Sequence, residues 1–414
     1  MKPNGIEWIG DIPDDWEIKK VKRLFSYQKG KNAALLTKEY IGLHPGPYPV
    51  LSGQTENNGI LGFYENYEFD LDKDSIFVTT VGAKAMSTKL VNKKFSLSQN
   101  CALLHKTDEK ANIRFLHYAL FPMFEWQKSM ISLIMQPSLR FEDLDKANLP
   151  YPPLEIQQKI ADYLDEKCGE IDKTIEKQKE SIEKLKAYKQ SLISETVTKG
   201  LNKSTPLKPT GIDFLGDIPS HWEVKRVKYV ANSFEKGNGI TKDDVIFDGD
   251  IQCVRYGEIY SKYDRQCIES VSDTNIDKIK SPVHISKGDI LFAGTGELIE
   301  EIGKNIVYMG DKPCLAGGDI IILKHNQNPI FLNYALNSTS SQSQKSYGKL
   351  KLKVVHISAS AIGNIRIALP PITEQNNIAE FLDRKCEEID STINKKQNLI
   401  EKLCAGPLTA YQFM

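Results

Sequence analysis

Residues 152–185 have the sequence PPLEIQQKIADYLDEKCGEIDKTIEKQKESIEKL, and residues 370–403 have the sequence PPITEQNNIAEFLDRKCEEIDSTINKKQNLIEKL. The two segments are identical at 19 of 34 positions. In each copy, apolar residues recur alternately four and three positions apart, a pattern typical of coiled-coil helices. We call these recurring positions the seam. Its apolar members are Ile160, Leu164, Ile171, Ile175, Ile182 and Leu185 in the first copy, and Ile378, Leu382, Ile389, Ile393, Ile400 and Leu403 in the second. The remaining seam positions are occupied by Cys168 and Gln178 in the first copy and by Cys386 and Lys396 in the second.

The seam predicts two long helices. The first continues through Leu192 to Gly200, where glycine is a common stop, so about 45 residues form a rod of about 65 Å. Equivalent seams in one chain most simply pack on each other, and a pseudo-twofold axis between duplicated halves makes that pairing antiparallel. The alternative is that each helix lies along its own globular body, as amphipathic helices usually do.

A second duplicated segment precedes each body. Residues 5–22 and 211–228 are identical at 11 of 18 positions, and both contain Gly-Asp-Ile-Pro followed two residues later by Trp. The bodies, at about 20–150 and 226–368, have diverged but share features of one mixed fold. Strands are expected at 75–80 and 289–293, and helices at 115–120 and 331–336.

We therefore predict an α+β (mixed α/β) tandem repeat, with two globular domains separated by two long helices that form an antiparallel coiled coil. Gly406-Pro407 should stop the second helix and leave it shorter than the first. The predicted segments are a first domain at 1–151, helix 1 at 152–200, a polar linker at 201–210, a second domain at 211–369, helix 2 at 370–405, and a tail at 406–414.

Composition excludes several classes of protein. Lys plus Arg and Asp plus Glu both number 54, so the chain does not coat nucleic acid through net charge. The seven cysteines form no CxxC pair, which argues against a zinc ribbon or a complete disulfide framework. No apolar run approaches the roughly 20 residues of a membrane span, and we expect a cytoplasmic protein.

The sequence contains partial matches to catalytic motifs, but none of them is complete or kept in both copies. Residues 13–19 supply the PD and ExK pieces of a metal-dependent nuclease, but the second copy replaces both aspartates with Ser220 and His221. The spacing at 296–304 does not fit a phosphate-binding loop. We find no enzyme signature and expect no metal site.

The motif GDIPxxW at 10–16 and 216–222, together with LPYPPLEIQQKIADYLDEKCGEID at 149–172 and ALPPITEQNNIAEFLDRKCEEID at 368–390, resembles the specificity subunit of type I restriction-modification systems. The resemblance covers nearly the whole chain, twice. It implies two target-recognition domains, each recognising one half of a bipartite double-stranded DNA target, and a coiled coil that sets the spacer and docks two methyltransferase subunits. S-adenosylmethionine is then expected on the methyltransferase subunits, and ATP and Mg²⁺ on partner subunits that include the restriction and translocase subunits. The chain itself would be non-catalytic.

Positive charge and planar donor geometry indicate the candidate DNA contacts. Residues 349–354 alternate lysine with apolar residues, so a strand there would place three lysines on one face, where they could bind phosphate. The alternative is a solvated edge strand protected by its lysines. In the first body, Gln136 and Arg140 occupy a similar place before its helix, while Lys84, Arg255 and Tyr256 lie in expected loops. For each candidate the alternative is an ordinary surface residue. The candidates are Lys84, Gln136, Arg140, Arg255, Tyr256, Lys349, Lys351 and Lys353.

A basic cluster recurs at the border of each body, as Lys19, Lys20, Lys22 and Arg23 and again as Lys225, Arg226 and Lys228. Because the half-sites should differ, a recurring cluster suits backbone or subunit contact better than base recognition. Two other classes stay open: a coiled-coil DNA-binding adaptor outside restriction-modification, and a self-contained nuclease or methyltransferase.

Overall fold

The computed structural model describes residues 1–53, 56–132, 135–299, 301–348 and 355–410. The chain divides into two compact units. Unit 1 comprises residues 1–177 and 399–414, and unit 2 comprises residues 178–398. Each unit contains one globular body and part of each of two long helices.

Unit 1 is built on a six-stranded mixed sheet. The strands of unit 1 are β1 (Glu17–Lys20), β2 (Phe25–Gln28), β3 (Pro45–Leu51), β4 (Ile60–Tyr64), β5 (Phe69–Thr79), β6 (Thr88–Leu97), β7 (Cys101–Lys106) and β8 (Asn148–Tyr151). The sheet has the order β2-β7-β5-β6-β3-β4, and β1 pairs with β8 in a separate antiparallel ladder. The helices are α1 (Lys38–Leu43), α2 (Ile113–Ser129), α3 (Phe141–Lys146) and the first part of α4 (Leu154–Lys199).

The central strand β5 divides the core of unit 1. Successive side chains of a strand point to opposite faces, so Ile76 and Val78 lie in one hydrophobic cluster and Phe77 in another. The first cluster also contains Leu116 of α2 and Ala161 of α4, both fully buried. The body is thereby fixed to the beginning of α4 by apolar packing.

Unit 2 contains a five-stranded sheet of order β12-β21-β17-β19-β14 and a four-stranded sheet of order β15-β13-β20-β16, besides three two-stranded pairs, β10-β9, β11-β23 and β18-β22. The strands are β9 (Leu207–Pro209), β10 (Asp217–Pro219), β11 (Glu223–Arg226), β12 (Ala231–Lys236), β13 (Ile251–Val254), β14 (Gln266–Cys267), β15 (Ser272–Thr274), β16 (His284–Ile285), β17 (Ile290–Ala293), β18 (Thr295–Gly296), β19 (Asn305–Tyr308), β20 (Cys314–Ala316), β21 (Ile320–His325), β22 (Val355–His356) and β23 (Arg366–Leu369). The helices are α5 (Tyr256–Ser261), α6 (Pro329–Asn337), α7 (Thr339–Ser346), α8 (Ala359–Asn364), the second part of α4, and α9 (Ile372–Ala410), whose residues from 399 onward belong to unit 1.

Strand β17 repeats the role of β5. Ile290 and Phe292 lie in one cluster, and Leu291 and Ala293 in another. The predicted strands at 75–80 and 289–293 and the predicted helices at 115–120 and 331–336 are confirmed by β5, β17, α2 and α6. The two diverged bodies therefore share a core arrangement.

The long helices pair within unit 2. Gln178 accepts a hydrogen bond from Lys396 at 2.9 Å, and Lys189 forms an ion pair with Asp390 at 2.7 Å. Val197, near the end of α4, shares a hydrophobic cluster with the first turns of α9. Residue numbers rise along α4 as they fall along α9, so the pairing is antiparallel, as predicted.

The predicted seam lies on the less exposed side of both helices. Its side chains are buried in seven cases and half-buried in five. The buried members are Leu164, Ile175, Ile182, Ile378, Leu382, Ile389 and Ile400, and the half-buried members are Ile160, Ile171, Leu185, Ile393 and Leu403. The alternative weighed from the sequence also describes part of each helix, because the first turns of α4 and α9 pack on their own bodies.

The second helix does not stop where its sequence suggested. It continues to Ala410, so the expected end at about Ala405 is wrong. Proline removes one hydrogen bond and crowds one carbonyl, which can bend a helix without ending it. The linker also differs from expectation, because β9 in residues 201–210 pairs with β10 instead of remaining irregular.

Candidate nucleic-acid interface

Two exposed loops of unit 1 meet at the end of β5. Val81 and Ser138 form an antiparallel bridge, Gly82 donates its N–H to the carbonyl of Pro137 at 3.1 Å, and Leu139 donates to Thr80 at 2.7 Å. Gly82 has a φ of 110°, a conformation suited to glycine, which permits the turn that follows. We call residues 80–86 and 135–140 loop pair 1.

Loop pair 1 brings together three of the candidate DNA contacts. Lys84 lies in the turn, Gln136 lies beside Gly82, and Arg140 immediately precedes α3. All three side chains are exposed. Their role as DNA contacts stays a prediction, but they now belong to a single surface.

Unit 2 has the same arrangement at the end of β17. Thr295 pairs with His356, and Ile357 donates its N–H to Gly294 at 2.9 Å, as Leu139 does to Thr80. Ser358 then caps α8 at the position where Arg140 precedes α3. We call residues 294–296 and 355–358 loop pair 2. The candidates Lys349, Lys351 and Lys353 lie outside the described residues.

Each body joins its long helix through a buried glutamine. In unit 1 the side-chain oxygen of Gln157 accepts the N–H of Asn112 at 2.8 Å, and its amide donates to the carbonyl of Pro152 at 2.8 Å. In unit 2 Gln375 accepts from Asn328 at 3.0 Å and donates to the Pro370 carbonyl at 2.9 Å. Asn112 and Asn328 are the N-caps of α2 and α6, so both helices are tied to the start of a long helix in the same way.

A tyrosine and an arginine strengthen each of these two junctions. Tyr118 donates to Asp165 at 2.7 Å, and the equivalent Tyr334 donates to Asp383 at 2.9 Å. Burial raises the pKa of Tyr334, which keeps its hydroxyl protonated and able to donate.

The arginines come from different places in the two units. Arg114 of α2 binds Asp162 at 2.7 Å and also binds Asp165. In unit 2, Arg265 donates to the Tyr334 hydroxyl at 2.7 Å. The two junctions therefore share the tyrosine–aspartate hydrogen bond, but the arginine comes from a different part of the sequence and binds a different partner.

The comparisons with known proteins agree with this architecture. Residues 13–187 and 219–402 match the family described as type I restriction modification DNA specificity domain. The chain belongs to this family.

Two curated relatives illustrate the breadth of the type I specificity family. Over 400 residues the chain is 25% identical to the type I restriction enzyme MjaVIII specificity subunit of Methanocaldococcus jannaschii, covering 95% of this chain and 90% of the relative. Over 146 residues it is 36% identical to the putative type I specificity subunit S.MpnORF507P of Mycoplasma pneumoniae, covering 35% of this chain and 38% of that protein. Similarity to the first relative extends over nearly the whole chain.

Two solved structures share the fold. A chain from work on complex assembly and conformational transition of the type I R-M system has a TM-score of 0.68 and 14% identity, covering 96% of this chain and 97% of that chain. The HsdS subunit from Thermoanaerobacter tengcongensis has a TM-score of 0.52 and 15% identity, covering 100% of this chain and 98% of that chain. At these identities, the likeness concerns the fold of the type I specificity family.

Arg255 and Tyr256 lie outside the residues that define loop pair 2 in this member of the type I specificity family. Arg255 caps α5, and its guanidinium binds buried Glu258 through Nε at 2.9 Å and an Nη at 2.6 Å. Glu258 also accepts from Ser272 at 2.6 Å. Arg255 therefore has a structural partner already, whereas Tyr256 is 39% exposed in the adjoining cleft.

The sequence did not single out the junction residues of this type I specificity chain. Gln157 and Gln375 are identical in the two copies and are fully buried, as are few polar side chains. The available signal was a polar residue, identical in both copies, at a position three residues before the first apolar residue of each seam. Among the described residues, no three His, Cys, Asp or Glu side chains are grouped to hold a metal ion, and no helix has the length and apolarity to cross a membrane.

Proposed function

We propose that this chain is the DNA sequence-specificity subunit of a type I restriction-modification complex. Each globular body recognises one half of a bipartite double-stranded DNA target. The coiled coil sets the spacer between the halves. The chain supplies recognition and positioning, and catalyses no reaction itself.

One observation carries this proposal: the two bodies keep the same core strand, loop pair and buried glutamine junction while their loop sequences differ. Loop pair 1 contains Gln136 and Arg140, whose planar donors suit base edges or phosphates. Loop pair 2 has His356 and Ser358 at the positions of Ser138 and Arg140. The two bodies share one backbone arrangement but differ in the side chains that they expose. This difference favours two half-sites of different sequence.

The partners and cofactors follow from the proposed complex. Two methyltransferase subunits dock on the long helices and bind S-adenosylmethionine. Restriction and translocase subunits use ATP and Mg²⁺. A cytoplasmic location, expected from the sequence, stays a prediction.

A paired insertion tests the role of the helices as a ruler. Seven residues are inserted after Gln178 in α4 and seven after Lys396 in α9, so that the antiparallel partners and the heptad phase are both retained. Methylated bases are then mapped by single-molecule sequencing in a host that carries the chain with its partner subunits. We expect the same two half-sites with a changed spacer.

The matched control places seven Gly and Ser residues after Lys203, in an exposed part of the linker. This control should leave the spacer unchanged. Altered half-sites with the original spacer in the paired insertion would contradict the ruler.

The adaptor alternative is tested by co-purification. A chain that acts in restriction-modification should carry a methyltransferase subunit through purification at a ratio of two to one. A chain that binds specific DNA without any such subunit would favour an adaptor outside restriction-modification.

A further inference from the structure

A basic groove lies beside the ladder of β11 and β23 in unit 2. It is lined by Ile212, Val224, Lys225, Arg226, Tyr229 and Arg366. Among these described lining residues there are three cations and no carboxylate. Lys225 has its own partner, Glu223, at 2.8 Å, so the two arginines are the principal charges available.

The arginines face each other directly. Arg226 and Arg366 are register partners in the antiparallel ladder, so their side chains leave the same face a few ångströms apart. Like charges in this position are destabilising. Within the described part of the chain neither guanidinium has an ion pair, and both residues are half-buried. A pair of this kind is stabilised when an anion lies between its members.

The strand that carries Arg366 is held in place by a side chain. Gln344 of α7 donates to the Arg366 carbonyl at 2.9 Å and accepts the Arg366 N–H at 2.8 Å. These two bonds occupy the outer edge of β23 as a neighbouring strand would. The backbone of Arg366 is therefore fixed before any ligand binds.

Unit 1 lacks this groove chemistry at the equivalent place. Its ladder pairs Lys20 with Asn148 where unit 2 pairs Arg226 with Arg366. The cation of the recurring basic cluster is kept, as Lys20 and Arg226, whereas the second cation of the pair, Arg366, has an asparagine as its counterpart in unit 1. A surface that docks one of two identical partner subunits should be kept in full in both units, whereas the phosphate contacts of two diverged bodies need not be. The difference favours DNA as the occupant.

We propose that the Arg226–Arg366 groove binds a phosphate group of the DNA backbone beside the half-site recognised by unit 2. Guanidinium groups suit phosphate because their planar N–H donors match its oxygens in pairs. Exposed Tyr229, 71% accessible, forms one wall of the groove. The inference rests on the proposed function, since it assigns a further contact to the same DNA complex.

The test measures DNA binding as a function of salt concentration. The complex of the full chain with its methyltransferase subunits is titrated with a labelled duplex containing the mapped target and with one lacking it. For Arg226→Asn/Arg366→Asn, the slope of log K against log salt should fall by about 0.9, the value for one phosphate contact. Affinity should fall by a similar factor on both duplexes, because a phosphate contact carries no base information.

Two controls separate binding from folding. Arg366→Asn, which introduces the residue of unit 1, removes a like-charge pair and should not lower the melting temperature. Lys287→Asn removes an exposed cation that pairs with Asp311 elsewhere in unit 2 and should leave the slope unchanged.

An unchanged slope in the double variant would overturn the inference. Loss of methyltransferase subunits from the variant complex, measured by light scattering, would also overturn it and assign the groove to a protein interface. A wild-type complex that prefers no DNA sequence would instead contradict the proposed function, so the two failures are distinguishable.

Discussion

Gln157 accepts the backbone N–H of Asn112 from within the first turn of α4, where its side chain is fully buried. The same bond joins Gln375 to Asn328 in the other unit. Each bond ties the N-cap residue of one helix to the first turn of another. The angle between a body and its long helix is therefore set by a buried hydrogen bond rather than by apolar contact alone.

Replacing the glutamine should loosen the junction. Gln157→Leu leaves the Asn112 N–H and the Pro152 carbonyl without their partner, and unfolding free energy should fall by about 1–3 kcal/mol. Urea denaturation checks this value. Gln158→Leu, at an exposed neighbour that bonds only side chains, those of Asn112 and Asp162, is the control and should change stability much less. Equal losses of stability in the two variants would contradict the conclusion that the buried hydrogen bonds of Gln157 hold the body on its long helix.

The end of α4 depends on a glycine. Gly200 has a φ of 73°, and an added Cβ would lie 3.1 Å from the buried ring of Trp222. Gly200→Ala should therefore destabilise the chain by about 1–2 kcal/mol, seen as a lower melting temperature. Gly169→Ala is the matched control, since that helical position is open and should gain about 0.5–1 kcal/mol. A neutral Gly200→Ala would show that the backbone relaxes there.

A fully buried lysine should make stability depend on pH. Lys345 donates to the carbonyl of Gly303 at 2.7 Å and to Asn305 at 2.9 Å, and burial lowers its pKa to about 7. Between about pH 7 and its ordinary pKa near 10.5, the unfolded chain binds a proton that the folded chain does not. Its contribution to stability therefore rises with pH across that window and is smallest below it.

The comparison variant is Lys345→Met. Urea midpoints of the wild type and this variant are measured from pH 6.5 to pH 10. The wild type should gain stability relative to the variant as pH rises. Lys287→Met, at an exposed lysine, should show no such trend, and parallel curves for wild type and Lys345→Met would indicate that Lys345 stays charged.

Loop pair 1 should control one half-site only. Arg140→Ala is expected to weaken or relax recognition of one half of the DNA target, because a lost bidentate contact costs about 1–3 kcal/mol of discrimination. Methylation mapping checks both halves in one experiment. Lys146→Ala, at the end of the short helix α3 that follows Arg140 and outside the loop pair, is the control. Changes in both half-sites would contradict the assignment of one body to one half.

The repeats carried most of the fold information. The four-and-three spacing of Ile160, Leu164 and their successors predicted the helices, since helical periodicity is a local property of the sequence. Their antiparallel pairing was predicted from the duplication, because a pseudo-twofold axis requires it. The extent of α9 was not predicted, because proline gives a local penalty that a long helix can absorb. The strand β9 was also missed, since a three-residue strand depends on its partner β10 rather than on its own pattern.

The candidate site was predicted less completely than the fold. Gln136 and Arg140 belong to one short run of sequence, but their common surface with Lys84 depends on the bridge between Val81 and Ser138, which joins positions far apart in the chain. Arg255 looked available in sequence, but Glu258, three residues later, binds its guanidinium. Charge and residue type suggest contacts, whereas long-range pairing decides which side chains are available for them.

The segments that border each body also define where a foreign domain could be attached to the long helix. A foreign domain grafted between the two border strands would need an edge strand at each end to rebuild the ladder of β1 and β8. It would also need an asparagine-capped helix that presents one free N–H to Gln157. Nothing in these requirements involves the loops at the end of β5. New DNA specificities can therefore be transplanted as whole bodies, while the helix and its glutamine remain those of the host chain.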